Sequence, residues 1–430
     1  MKRLAALTLC ACLLAGCAES EAPAQSVPTV SPAPTAAPQA LSVYAAAGEN
    51  TAAARAVQCY AEAQGVALTF VDDVQQAGLV ILPAAPAQDG SWMDFSSDAL
   101  LTAAAELADM DGGTVTALPI GRSLYGYWAD SAMLEELLGA DAVSDLQAAS
   151  WSEWETFAQT LTGWIATPSP ASVTLGGHTY TLPEEKSGRT AALTAVFDTP
   201  DPSYEADNTA ALYTGVLLAA GEQRSEQTLI GPLNGLFSAI ELEQTHQANE
   251  GEQALFRRGF LADLALEMEP DEAERLVPLP VKCDFVEDDL STVEYNLTGL
   301  MNYPIFAAPA WLAIPADAGE EQTRAAASAI LWLYTSTAGE QALTGDLLLV
   351  SPWGTASDGS VPGAMQIEQV GTGILPGVML DCSAAQALAD ADEALCYEQD
   401  GSARTDWSKA AREEWREKVI AALDNTNVQP

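Results

Sequence analysis

The chain has 430 residues, 48% of them hydrophobic and 18% charged, with 60 acidic against 17 basic side chains and a formal charge of −43. That length is too great for one compact core and suits two. The acid excess excludes a nucleic-acid partner, because phosphate binding needs a basic face, and it disfavours polyanionic ligands, which leaves neutral and cationic small molecules.

Residues 1–17 read MKRLAALTLCACLLAGC: Lys2 and Arg3, then an apolar run from Leu4 to Leu14 too short to span a bilayer. The end of this run, Leu14-Ala15-Gly16-Cys17, resembles the lipobox of bacterial lipoproteins, a signal peptide cut before the cysteine that then carries acyl chains. The resemblance implies an extracytoplasmic protein held to the cell membrane through lipid on Cys17. Residues 18–40 contain five prolines and no aromatic residue. Such a segment buries too little apolar surface to offset its ordering entropy, so it reads as a tether. The folded body begins near Leu41.

In chain order the body opens with LSVYAAA, an extended apolar run, and TAAARAVQCYAEAQG, a helix that Gly65 stops. VALTFVDD and AGLVILPAA follow as short strands, so the start reads as an α/β lobe with a parallel sheet under helices. LLTAAAELADM is a helix and GGTVTALPIGRSLYGYWAD an extended path out of it. SAMLEELLG is a short helix opened by Asp130 or Ser131, and Ser150 with Glu153 makes a capping box in front of WSEWETFAQTLTGW. Trp154, Phe157 and Leu161 recur there at helical spacing and are core anchors. The stretch around LGGHTY predicts a hairpin. The acids of DTPDPSYEADN lack the ordered spacing of a calcium loop. NTAALYTGVLLAAGE and GEQALFRRGFLADLALEM read as helices, RLVPLPV and APAWLAIPA as strands. A long helix over EEQTRAAASAILWLYTSTAGEQAL and an amphipathic one over TDWSKAAREEWREKVIAAL complete the body.

Four cysteines lie in the body, Cys59, Cys283, Cys382 and Cys396. Their spacing matches no zinc pattern, no metal or cofactor is expected, and a Cys382–Cys396 bridge would close a short loop. Two histidines, His178 and His246, are the only imidazoles, and neither sits in a motif. GRSLYG is not a nucleophile elbow, because its second glycine falls one place late, and no Walker loop or H-E-x-x-H is present. An enzyme is therefore not expected. A glycan hydrolase using two of the many carboxylates is the alternative, since any pair could meet in space.

LPIGRSLYGYWADSAMLEELLG, WSEWETFAQTL, LFRRGFLADL with LVPLP, and WLAIPADAGEEQTRAAASAILWLYTSTAGEQAL stand in one order. That order resembles the sugar-binding lipoproteins of ABC importers, the maltose-binding-protein-like solute-binding family, over essentially Leu41 to Pro430. The chain departs from the family pattern at AAPAW, where glycines are common, and at Asp263-Leu264-Ala265, where an aromatic often stands. The resemblance implies a type II fold of two α/β lobes joined by hinge strands around a cleft. Lobe 1 is expected from 41–120 plus about 303–350, and lobe 2 from about 121–302 plus 351–430. It implies capture of a small solute, an oligosaccharide first, with polyamine or peptide as other classes, and delivery to ABC permease subunits by a monomeric protein. A ligand sensor of the same fold is a further alternative. Sugar recognition needs aromatic faces and a few planar polar groups. Trp92, Asp94, Arg122, Tyr125, Tyr303, Trp311 and Trp353 are the expected ligand contacts, with LPIGRSLYGYW as the first crossing between lobes.

Overall fold

A computed structural model describes residues 40–107, 114–199, 209–220, 225–249, 252–268, 270–279, 285–286, 292–293, 305–350, 375–376, 380–398 and 400–424. Residues 1–39, Cys17 among them, lie outside these residues, as do Cys283, Tyr303 and Trp353. Among the described residues no helix is long and apolar enough to cross a membrane.

The first sheet has the order β2-β1-β3-β14-β4. It is built from β1 (Ala40–Ala45), β2 (Ala67–Phe70), β3 (Leu79–Leu82), β4 (Ala117–Pro119) and β14 (Trp311–Ala313). β1 pairs in parallel with β2 and β3, while β14 runs antiparallel to β3 and β4. Helix α1 (Ala52–Gln64) returns the chain between β1 and β2. Thr51 starts it by accepting from the Ala54 amide, and Gly65 ends it in a left-handed conformation, φ 66°, that a side chain would strain. Val57, Tyr60, Leu79, Ile81, Ile330 and Leu333 share the core over this sheet. α2 (Ala99–Leu107) contributes Leu101 to that core.

The second sheet has the order β15-β13-β5-β9-β8, with β10 also paired to β5. Its strands are β5 (Ser123–Asp130), β8 (Leu193–Asp198), β9 (Gln253–Phe260), β10 (Leu276–Leu279), β13 (Ile305–Ala307) and β15 (Leu375–Pro376). Two small two-stranded pairings, β6 (Ser172–Leu175) with β7 (His178–Thr181) and β11 (Phe285–Val286) with β12 (Thr292–Val293), stand apart. Gly176 and Gly177, at φ 58° and 81°, make the tight turn of the predicted β6–β7 hairpin.

Around the second sheet lie α3 (Ser131–Leu138), α4 (Trp151–Ala166), α5 (Thr209–Ala220) and α6 (Glu226–Thr245). α7 (Leu261–Leu264) is a single turn directly after β9. Helix α8 (Glu320–Thr335) packs on the first sheet, and α9 (Cys382–Cys396) with α10 (Lys409–Asp424) on the second. The capping box of Ser150 and Glu153 is formed, and Asp130 caps α3 through the Ala132 and Met133 amides. Trp154, Phe157, Phe197 and Phe256 cluster beneath the second sheet, with Trp154 and Phe256 ring centres 4.7 Å apart.

Two sequence expectations change. GEQALFRRGFLADLALEM was expected to be helical, yet Gln253–Phe260 is a strand, because β9 finds partners on both sides, β5 antiparallel and β8 parallel. Pairing on both edges outweighs local propensity. The Cys382–Cys396 bridge does not form: the two cysteines occupy the two ends of α9. At a rise of about 1.5 Å per residue the two Cα atoms stand about 20 Å apart, far beyond the roughly 7 Å a disulfide spans.

Candidate functional site

Three backbone segments meet where the two sheets adjoin. Residues 120–122 carry the chain from β4 to β5, and 308–310 carry it back from β13 to β14. The Ile120 amide donates to the Ala310 carbonyl at 3.0 Å. Arg122 and Val350 exchange both backbone bonds, at 2.9 and 2.8 Å, so a third segment lies beside the first crossing. Gly121 is needed here: a Cβ on it would stand 2.9 Å from the Val350 carbonyl oxygen. The geometry is that of a hinge, with few residues in each crossing and sheet on either side.

The expected contact residues fall into three groups. Arg122 is half-buried at the crossing, its guanidinium 5.9 Å from the Phe306 ring centre. Trp92 is half-buried in the turn after β3, where its backbone pairs with Pro315 and its ring rests on the cluster of Val80, Leu82 and Trp311. Asp94 is committed locally: it accepts from the Ser96 amide at 3.0 Å and from the Ser96 hydroxyl at 2.6 Å, and those two bonds hold its carboxyl below the usual range.

Two expectations are corrected. Tyr125 is fully buried, with its ring edge-on to Phe260 at 5.2 Å and its hydroxyl bonded to the Arg258 guanidinium, so it offers no face to a solute. Trp311 is 7% exposed and packs among Val80, Leu82 and Ala117. Both sit on strands flanked by neighbours, where an aromatic side chain is absorbed by the layer it faces. Ser123 is also buried and accepts from the Ala262 amide at 3.2 Å. Tyr303 and Trp353 lie outside the described residues.

What the sequence reading missed is the seam itself. Turn α7 follows β9 of the second sheet, yet Ala262 is buried in the core of the first. Beside it, Asp263 Oδ1 accepts from the Ala52 amide, the first residue of α1, at 2.8 Å. Burial pushes the Asp263 carboxyl up to about 6, against the lowering effect of that amide. Across the seam, the Cys382 amide donates to the Ala85 carbonyl and its thiol to the Ala84 carbonyl, both at 2.9 Å. Burial is the main reason the Cys382 thiol rises to about 11. Beside Asp263 lies a cavity of about 10 Å³, lined by Ala47, Thr51, Ile81, Pro83, Asp263 and Pro309, with room for about one water. It sits at the carboxyl ends of β1 and β3, where open α/β sheets take their ligands. A lone acid in the apolar run FLADLAL was the available signal for Asp263. Among the described residues no three side chains of metal-binding type converge.

Behind β5 the second sheet is stiffened by a buried ion pair. Arg258 Nε meets Glu243 Oε2 at 3.1 Å, each side chain 3% exposed, and the Tyr127 hydroxyl donates to the same carboxylate. Burial raises Glu243 above the ordinary carboxylate value, and Arg258 opposes the shift.

No protein-family model matches the chain, and no curated protein sequence matches it. Solved structures do. The maltose-bound MalE3 of T. maritima is similar with a TM-score of 0.55 at 10% identity, over 89% of this chain and 99% of that one. A Streptococcus pneumoniae solute-binding protein in complex with the blood group A-trisaccharide scores 0.54 at 9% identity, over 89% and 100%. An ABC transporter solute-binding protein from Agrobacterium radiobacter in complex with ribitol scores 0.54 at 11% identity, over 90% and 99%. The fold is therefore the two-lobed solute-binding fold, with its lobes joined by the crossings described above.

Proposed function

We propose that this protein captures a small solute, a carbohydrate or polyol, between its two lobes and delivers it to the membrane subunits of an ABC importer. The observation that carries the reading is the hinge: short crossings at 120–122 and 308–310 join two sheets whose facing edges touch through Asp263 and Cys382. Such a geometry converts solute binding into a shift between open and closed forms, which a permease can read. The structural neighbours with bound maltose, a trisaccharide and ribitol favour hydroxyl-rich solutes. The reading assigns 41–120 with about 303–350 to one lobe and the remainder of the body to the other. It gives no catalytic role to any residue. Trp92, Arg122, Tyr303 and Trp353 border the cleft in this reading, and lipid on Cys17 holds the protein outside the cytoplasm.

The test is thermal melting of the full-length protein against maltose, raffinose, ribitol, spermidine and short peptides. A solute at 100 times its dissociation constant adds roughly 2.7 kcal/mol, a readable shift. A shift with a sugar or polyol, and recovery of that compound unchanged, is the expected result. Consumption of the compound, or a shift with spermidine or peptide alone, overturns the proposal.

A further inference from the structure

Cations are scarce in this chain, and acids take most of them. Arg189 and Arg275 meet Asp130, Arg257 meets Asp198 and Glu267, Arg258 meets Glu243, and Arg324 meets Glu320. Arg122, at the first crossing, is different. Its main chain is fixed by the two bonds exchanged with Val350. Its guanidinium donates no hydrogen bond and meets no carboxylate among the described residues, and its contact is the Phe306 ring, 5.9 Å away. An aromatic face attracts a cation without using its five N–H donors. The side chain is half-buried at the crossing and so reachable from solvent. The group also stands between the lobes. Phe306 belongs to β13 of the second sheet, whereas Tyr334, in the core of the first, donates its hydroxyl to the Pro119 carbonyl at 2.6 Å. Burial holds that hydroxyl well above its usual range, and the Arg122 charge opposes the rise.

We propose that Arg122 reads a carboxylate on the solute, so that the carbohydrate captured is a sugar acid of the hexuronate class. The inference rests on the solute-binding reading and narrows its substrate class. A guanidinium presents a planar fork that matches the two oxygens of a carboxylate. Phe306 beside it, half-buried, offers an apolar surface to the C–H groups of a sugar ring. The acid excess of the chain does not forbid this. Salt screens exposed charges beyond about 10 Å, so the groups at the crossing decide, and the one there is a cation. The same excess limits the charge of the ligand. One arginine balances one negative charge, whereas a phosphate monoester carries about −1.5 to −2. A neutral sugar would leave the charge of Arg122 unused, and an ammonium group would be repelled by it.

Isothermal titration of the full-length protein at pH 7.5 tests this with D-galacturonate and D-glucuronate, each compared with its neutral sugar, D-galactose or D-glucose. Charge-assisted hydrogen bonds lead to the expectation that at least one acid binds about tenfold or more tighter than its neutral partner. The methyl ester of that acid keeps the shape, removes the charge and is expected to lose the same factor. Arg122→Gln is expected to bring acid and neutral sugar within about threefold of each other, and Arg122→Lys to recover part of the preference, because it keeps the charge without the fork. Should the variants fail to fold, the ester decides alone: an ester that binds as tightly as its acid overturns the inference. Neutral sugars that bind as tightly as the acids overturn it and leave the solute-binding reading standing. An acid preference that survives Arg122→Gln overturns it too, as does glucose 6-phosphate binding more tightly than glucuronate. Binding by none of these compounds overturns it as well, and the melting panel then decides the solute-binding reading separately.

Discussion

Arg258→Met leaves Glu243 in a buried site with the Tyr127 hydroxyl as its one remaining partner among the described residues. Removing one member of a buried ion pair costs about 3–5 kcal/mol, because the surviving charge keeps its desolvation penalty and loses its counter-charge. The charge has an escape, since Glu243 can take a proton. Burial already holds its folded-state pKa above the unfolded value, and loss of Arg258 raises it further. A carboxyl with a raised folded pKa binds protons better when folded. Its penalty is therefore absent below the unfolded pKa, near 4.3, and grows as pH rises through the folded value.

Urea unfolding of the full-length protein at pH 7.5 and pH 5 tests this. The single variant is expected to lose about 3–5 kcal/mol at pH 7.5 and distinctly less at pH 5. The double variant Arg258→Met/Glu243→Leu removes both charges and is expected to recover most of the loss, since an apolar pair of similar volume is often neutral in such a site. A single-variant loss below about 1 kcal/mol, or a double variant no better than the single, would refute the reasoning. Either result would mean that the pair is hydrated in solution and does not anchor β9 to α6.

Asp392, 1% exposed, accepts from the Tyr213 hydroxyl at 2.7 Å and the Trp415 indole at 2.8 Å, and burial still raises its pKa to about 6. Asp392→Asn keeps an acceptor and drops the charge. It is expected to gain up to about 3 kcal/mol at pH 7.5 and nothing below pH 4, as measured by unfolding across that range. Trp154→Ala empties the aromatic cluster of the second core and is expected to cost about 3–5 kcal/mol by the same method. Gly121→Ala sets a Cβ against the Val350 carbonyl at the first crossing. It is expected to expose the Arg122 and Val350 amides to hydrogen exchange while leaving those of β1 and β3 protected.

Much of the fold was legible because its signals are local. The capping box at Ser150 and Glu153, the stop at Gly65 and the Gly176-Gly177 turn each act within a few residues, and each forms as read. Segments whose state depends on distant neighbours were not legible. Gln253–Phe260 offers a helix as readily as a strand in isolation, and only its placement between β5 and β8 decides. Cys382 and Cys396 look like the ends of a loop until the intervening SAAQALADADEAL is seen to bury Ala385, Leu388 and Leu395 as one helical face.

The site residues repeat this contrast in a sharper form. Tyr125 and Trp311 were chosen by side-chain type, as flat rings near a crossing, but type does not say which way a strand residue points. A strand with neighbours on both sides and helices over it absorbs its aromatics. Tyr125 belongs to β5, paired with β13 and β9, and Trp311 to β14, held between β3 and β4. Asp263 is the reverse case. It follows the strand and belongs to no ladder, and a charged residue in an apolar run has few stable places to go. It went to the N-terminus of α1 over the first sheet, where Oδ1 accepts from the Ala52 amide. An acid flanked by apolar residues just beyond a strand end thus carries more information about a cleft than an aromatic within the strand. The aromatic can always be accommodated in a core, whereas the acid must find a partner in the opposite lobe, in water or in the solute.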